Sequence, residues 1–379
     1  MIERIGDIVR TVREREICSL EDLAHRSGVS LSVLMALEGG RPGITTTQLD
    51  DVAGVLSLDP IALLNGREVP KPVPSVFLRH TPMQDFDDRD ALVLDAALEQ
   101  GRSLANLRSA LGEPAFALQA GIFVQRAAAA DRSEAPAQDG YRLARVVRQW
   151  LGNVAEPLGD MGRLLEEQFG IAVLVRSLAS SRVTATGIRA AGCAAVVLSA
   201  RDPHRARNPL LARVHLAHEL CHVLFDPSPG GLHIVVEGAD GKDITAEQRA
   251  RAFAAELLLP QDGLTRLLEA SHDKGAQSAA RDLVTRARSM FGTPHEIAAN
   301  HLCNLQLIDR GLREWLEAEK TTFAGQPPET TLPAPDDPSR LVAEEVARAH
   351  REGMLTDGEA RSILQMDRLA PLPWDEVEL

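Results

Sequence analysis

His218-Glu219-Leu220-Cys221-His222 is the segment around which the rest of this 379-residue chain falls into order. Two histidines four apart on a helix project from one face, a turn apart, so both imidazoles can grip a single metal ion. Leu210, Val214, Ala217, Cys221 and Leu224 recur at helical spacing through the segment, which predicts a helix with an apolar side. Pro209 suits its first turn and Pro227 lies beyond its end. A surface or capped histidine pair on an amphipathic helix is the competing reading.

The spacing is the H-E-x-x-H of zinc peptidases, where the glutamate works as general base. That role falls on Glu219. A catalytic zinc needs a third protein ligand and an open fourth position. Thr245 to Pro260 predicts a second helix, with Thr245 as N-cap and Pro260 as the stop. Glu256 sits there among Phe253, Leu257 and Leu258, so its carboxylate is expected to be buried and therefore paired, hydrogen-bonded or metal-bound. It is the candidate third ligand. Pairing with Arg249 or Arg251 is the alternative.

His218 to His222, followed about thirty residues on by Phe253-Ala254-Ala255-Glu256-Leu257-Leu258-Leu259-Pro260, resembles the ImmA/IrrE family of metallopeptidases. Leu143–Leu151 and Leu164–Val175 are similar to the helices and strand that open the family domain, and Ala195–Ala200 to its second strand. Phe291–Leu302 is similar to its closing helix. The resemblance covers about 170 residues. It implies zinc at His218, His222 and Glu256, with Glu219 as catalytic base. Arg251 stands where the family has Asn, and His301 where it has Arg. Both replacements bear on the groups that orient metal ligands.

The chemistry expected of such a site is peptide hydrolysis: the ion polarises a peptide carbonyl and Glu219 moves a proton from water to the leaving amine. An oxyanion donor is needed as well. Tyr141, the single tyrosine, is one candidate; His233, His295 and His301 are others. Asp226, one turn past His222, either hydrogen-bonds a ligand histidine or closes the helix before Pro227. Cys221 reads as a packing residue.

Residues 1–66 carry a different pattern. A helix starts near Ser19 and breaks at Gly28, and another begins at Ser30, a helix-turn-helix spacing. Thr46 to Leu64 adds two short helices. The whole resembles the Cro/repressor-like (XRE) domain, five helices long. Phosphate contact needs Lys and Arg. Residues 1–70 hold seven Arg and no Lys against eleven Asp and Glu. The expected recognition helix offers Ser30, Leu31, Ser32 and Met35, with no Arg, Asn or Gln to read base edges. Arg10, Arg13, Arg15, Arg26 and Arg41 supply a local basic face for DNA; docking to a protein, or dimerisation, is the other reading.

The net charge of −13 argues against coating nucleic acid or an anionic membrane. No run of 18 apolar residues and no signal peptide is visible, and Cys18, Cys193, Cys221 and Cys303 show no pairing pattern. These features are those of a cytoplasmic protein with free thiols. Val69–Pro74 reads as an extended connector, 86–125 as amphipathic helical pieces, 127–140 as a mobile loop, and 321–337 as a second linker. Helices over Leu341–Arg351 and Asp357–Met366 follow, then an acidic tail. They resemble a tail of many helix-turn-helix relatives and are placed either on a partner or over the cleft.

The expected fold is therefore mainly α with a small β-sheet. It divides into a helix-turn-helix domain (1–66), a linker and helical insert (67–140), an α+β zincin-like metallopeptidase domain (141–312) and a C-terminal helical extension (313–379). The expected function is a regulatory zinc endopeptidase that cuts a partner, a helix-turn-helix repressor, in a stress, DNA-damage or mobile-element response. The alternative is a transcription regulator or toxin–antitoxin component whose zincin domain senses or binds without proteolysis. No membrane partner is expected, and a homodimer is compatible with the sequence.

Overall fold

The computed structural model describes residues 2–15, 20–56, 58, 60–66, 88–113, 135–179, 183–190, 193–201, 208–226, 233–236, 244–269, 276–319, 330, 332–366 and 370–374. The chain divides into two compact units, Met1–Asp95 and Ala96–Leu379. No helix among the described residues is long and apolar enough to cross a membrane.

In the first unit α1 (Ile2–Arg15), α2 (Leu20–Ser27), α3 (Leu31–Glu38), α4 (Thr46–Val55) and α5 (Pro60–Leu64) pack together. Ile5, Val9 and Val12 recur on one side of α1 and share a core with Leu34 and Leu37 of α3. The two helices touch at Gly6, where a Cβ would stand 2.0 Å from the Leu37 carbonyl oxygen. Gly28, at φ 69°, makes the left-handed turn after α2. Arg13 donates to both oxygens of Glu38 at 2.6 and 2.8 Å, and Arg10 pairs with Asp7. Two of the five arginines expected on a basic face are thus neutralised within the unit. Ser32 and Met35 stand on the exposed side of α3.

Between 91 and 111 the structure has one helix, α6 (Asp88–Ala110), where the sequence suggested two pieces. Its part from residue 96 belongs to the second unit. Gly101, inside this helix, allows close packing: a Cβ there would meet the Ala194 carbonyl oxygen at 2.6 Å. The loop expected through residue 140 ends earlier, because Pro136 opens α7 (Pro136–Trp150) at a helix start that suits proline. The rest of that loop, the connector at 69–74 and the tail at 375–379 lie outside the described residues.

The sheet of the second unit has β1 (Ala172–Arg176), β2 (Ala185–Ala190), β3 (Cys193–Ser199) and β4 (His233–Val236) in the order β1-β3-β2-β4. β1 and β3 are parallel; β2 runs antiparallel to both β3 and β4. β1 and β3 are buried along their whole length, as their unbroken apolar runs suggest. The strand missed in the sequence is β2, Ala-Thr-Gly-Ile-Arg-Ala, whose central Gly187 hides it.

α8 (Met161–Phe169) leads into β1, with Asp160 capping its start and Gly170, at φ 66°, its end. α9 (Pro209–Phe225) packs on β2 and β3, and α10 (Ile244–Leu258) packs between α9 and α7. α7 and α10 approach at Gly140, where a Cβ would be 2.2 Å from the Arg249 carbonyl oxygen. α11 (Gln261–Glu269), α12 (Ala276–Phe291), α13 (His295–Asn304) and α14 (Arg310–Ala318) build a second core.

Of the C-terminal helices, α15 (Arg340–Arg351) sits against the β1 edge and α16 (Asp357–Ile363) packs on α15. Asp336 N–H donates to the Val175 carbonyl at 2.9 Å, and Arg176 to the Asp337 carbonyl at 2.7 Å. Ser339, fully buried, donates to Glu166 of α8, and its N–H to Gln100 of α6 at 3.0 Å. These bonds tie the C-terminal pair to the sheet edge opposite β4.

Candidate metal centre

α9 begins where Asn208 accepts hydrogen bonds from the N–H groups of Leu210 and Leu211, with Pro209 in the first turn. From Leu216 to Leu224 every residue of it is buried. A helix enclosed on all sides holds its polar groups in fixed places, and His218 and His222 are 3 % and 1 % exposed. Their Nε2 atoms lie 3.0 Å apart.

The third member of this cluster is Glu247, from the first turn of α10. One of its oxygens is 3.5 Å from Nε2 of His218 and the other 3.5 Å from Nε2 of His222. On a tetrahedral ion with bonds of about 2.0–2.2 Å, neighbouring donor atoms stand about 3.3 Å apart. Two imidazole nitrogens and a carboxylate oxygen at these separations could hold a metal ion.

Glu256, the third ligand expected from the sequence, is not among the three donors brought together here. It is buried as anticipated, at 1 % exposure, but its partners are elsewhere. Oε1 accepts from Arg145 Nε of α7 at 2.9 Å and from Gln261 N–H at 3.3 Å; Oε2 lies 3.2 Å from Nε2 of His301. Glu247 and Glu256 are nine residues apart on one helix, and about 100° per residue puts them half a turn out of phase. Both cannot face the histidines. The apolar neighbours of Glu256 signalled its burial and said nothing of its partner. Glu247, on a polar stretch near the helix start, gave no such signal.

Asp226 closes α9 and also orients His222, so both of its readings hold. Its Oδ2 accepts from Nδ1 of His222 at 2.7 Å, which leaves Nε2 turned toward Glu247. Arg249 donates to the other oxygen of Asp226. Arg189 of β2 donates to the carbonyls of Val223 and Asp226, both at 2.7 Å, and so satisfies the open end of α9. Burial alone would lower the pKa of His222; the Asp226 hydrogen bond, with Glu247 and Glu219, overcomes it and raises the value to about 10. Burial would likewise raise Glu247, but His218 and His222 hold its carboxyl well below the usual range. A metal ion held at this nitrogen would compete with its proton.

Glu219 is fully buried, and its charge acts on His222. It rests against Gly187 of β2: a Cβ at that position would stand 3.0 Å from Glu219 Oε2 and 2.8 Å from Val223 Cγ2. Cys221 is in the core, and burial pushes its thiol up.

The oxyanion candidates are also placed. His301 Nε2 donates to the Leu259 carbonyl, 3.0 Å away, and the ring packs edge-on against Tyr141 at 5.3 Å. As the Leu259 oxygen only accepts, His301 Nε2 carries the proton in that bond. Tyr141 bonds Asn304. His295 reaches the Leu316 carbonyl at 2.9 Å. The side chain of His233 lies outside the described residues.

Residues 166–302 match the family model described as IrrE N-terminal-like domain, Peptidase_M78. The matched part holds His218, Glu219, His222, Glu247 and Glu256 and leaves the first unit aside. It is a metallopeptidase-like domain. No curated protein and no solved structure matches the chain.

Proposed function

We propose that the chain is a zinc-dependent endopeptidase, with the ion held by His218, His222 and Glu247 and with Glu219 as general base. The observation that carries this reading is the three-donor cluster at 3.0–3.5 Å beside a buried glutamate. The ion, when bound, supplies a Lewis acid for a peptide carbonyl. Asp226 fixes the His222 ring, and Gly187 leaves room for the Glu219 carboxylate. Glu219 takes a proton from the attacking water and passes it to the leaving amine.

The substrate in this reading is a partner protein, a helix-turn-helix repressor, cut in a stress, DNA-damage or mobile-element response. The first unit serves as the arm that finds it. The internal pairing of Arg10 and Arg13 and the exposed Met35 support protein docking over DNA reading. The test is incubation of the zinc-loaded chain with a repressor encoded beside it. Cleavage is expected, and Glu219→Gln is expected to slow it about 10²–10⁴-fold while zinc stays bound. Unchanged cleavage in that variant removes the enzyme reading. A wild type that never cleaves but shifts operator DNA supports the alternative, a regulator whose zincin domain only senses or binds.

A further inference from the structure

A cavity of about 490 Å³ opens beside His218, among α7, α9, α10 and α13. Its size is that of a small-ligand site. The stripe of α9 that lines it, Leu211 and Val214, runs on to His218 itself at helical spacing. Across from it α10 presents Ala252 and Ala255, one turn from each other's register, and α13 presents Ile297. The two alanines make the space, since any longer side chain there would fill it. Leu211, Val214, Ala255 and Ile297 are only partly buried, although each faces this common hollow. Partly exposed apolar groups around a concavity gain by receiving another apolar group.

The rim is polar in a particular way. Asn300 and Asn304 are exposed carboxamides of α13 that border the cavity, together with Tyr141. A carboxamide both donates and accepts, which matches the one donor and one acceptor of a peptide group; the Asn300 oxygen also accepts from Arg313 at 3.1 Å, and Asn304 bonds Tyr141. Gln248 adds a third carboxamide next to Glu247.

We infer that this cavity seats a large apolar side chain, Leu, Met or Phe, of a peptide lying across the His218–His222–Glu247 cluster. The inference rests on the peptidase reading for its purpose and on the cavity for its chemistry. Ala252 and Ala255 are the specificity-determining residues: their small size admits the side chain.

The test is a methyl NMR titration of the full chain without added metal, with acetyl-Ala-Phe-Ala-amide and acetyl-Ala-Ala-Ala-amide as probes. The phenylalanine peptide is expected to shift the methyl signals of Ala252, Ala255 and Ile297 and to bind about tenfold more tightly or better. In Ala255→Trp that preference is expected to vanish. Equal binding of the two peptides, or no shift at these three methyls, overturns the inference, and the wild-type titration decides it even where the variant does not fold. Neither zinc nor hydrolysis enters this readout. A chain that never cleaves leaves it standing, and a peptidase that fails this titration loses only the specificity pocket.

Discussion

The carboxylate of Asp226 accepts a 2.7 Å hydrogen bond from Nδ1 of His222 and also pairs with Arg249. One acidic side chain therefore fixes the His222 ring and joins α9 to α10. Asp226→Asn is expected to weaken zinc binding about 10–100-fold. Competition against a chromophoric chelator measures it. An unchanged affinity would mean that Asp226 only closes the helix.

Glu256→Gln separates the two glutamates of α10. It is expected to leave zinc affinity as it is and to cost about 1–3 kcal/mol of stability, because buried bonds to Arg145 and His301 are disturbed. Chemical denaturation alongside zinc analysis reads both quantities. Loss of zinc in this variant would return Glu256 to the ligand set.

Gly187→Ala places a methyl group against Val223 and Glu219. Overpacking of this kind costs about 1–3 kcal/mol. Thermal unfolding is expected to shift down, and hydrolysis to slow by more than the loss of folded protein explains. Full activity in a stable Gly187→Ala protein would show that Glu219 is not held by the strand.

His222 contributes a pH dependence to the stability of the metal-free chain. Its pKa in the folded state is about 10, against an ordinary 6.5. A folded value raised above the unfolded one stabilises fully below about pH 6.5 and fades as pH climbs to about 10. In a chelator, the melting temperature is expected to fall across that window, and less steeply in His222→Gln. Equal slopes would contradict the raised value.

Much of this architecture is written in local patterns. The helix around His218 and His222 has its cap at Asn208 and its proline at 209, and β1 and β3 are plain apolar runs. The break between α2 and α3 of the first unit follows its turn glycine, Gly28. What could not be read is long-range partner choice. Glu256 finds Arg145, 111 residues away, and Glu247 finds two histidines on another helix. Sequence spacing along α10 shows that one face must exclude the other, yet not which face meets α9. β2 escaped for a related reason: Gly187 weakens the strand pattern because the close approach of α9 needs it. The C-terminal helices were legible as elements, while their seat on the β1 edge depends on single bonds such as Asp336 to Val175.

X-ray absorption at the zinc edge, on the purified full chain and on Glu247→Gln, reaches the claim beneath all the others. One ion per wild-type chain is expected, with two imidazole nitrogens and carboxylate oxygen at about 2.0–2.2 Å, and loss of that oxygen or of the ion in Glu247→Gln. An unaltered spectrum in Glu247→Gln, or a wild-type chain that holds no zinc at all, would contradict the account.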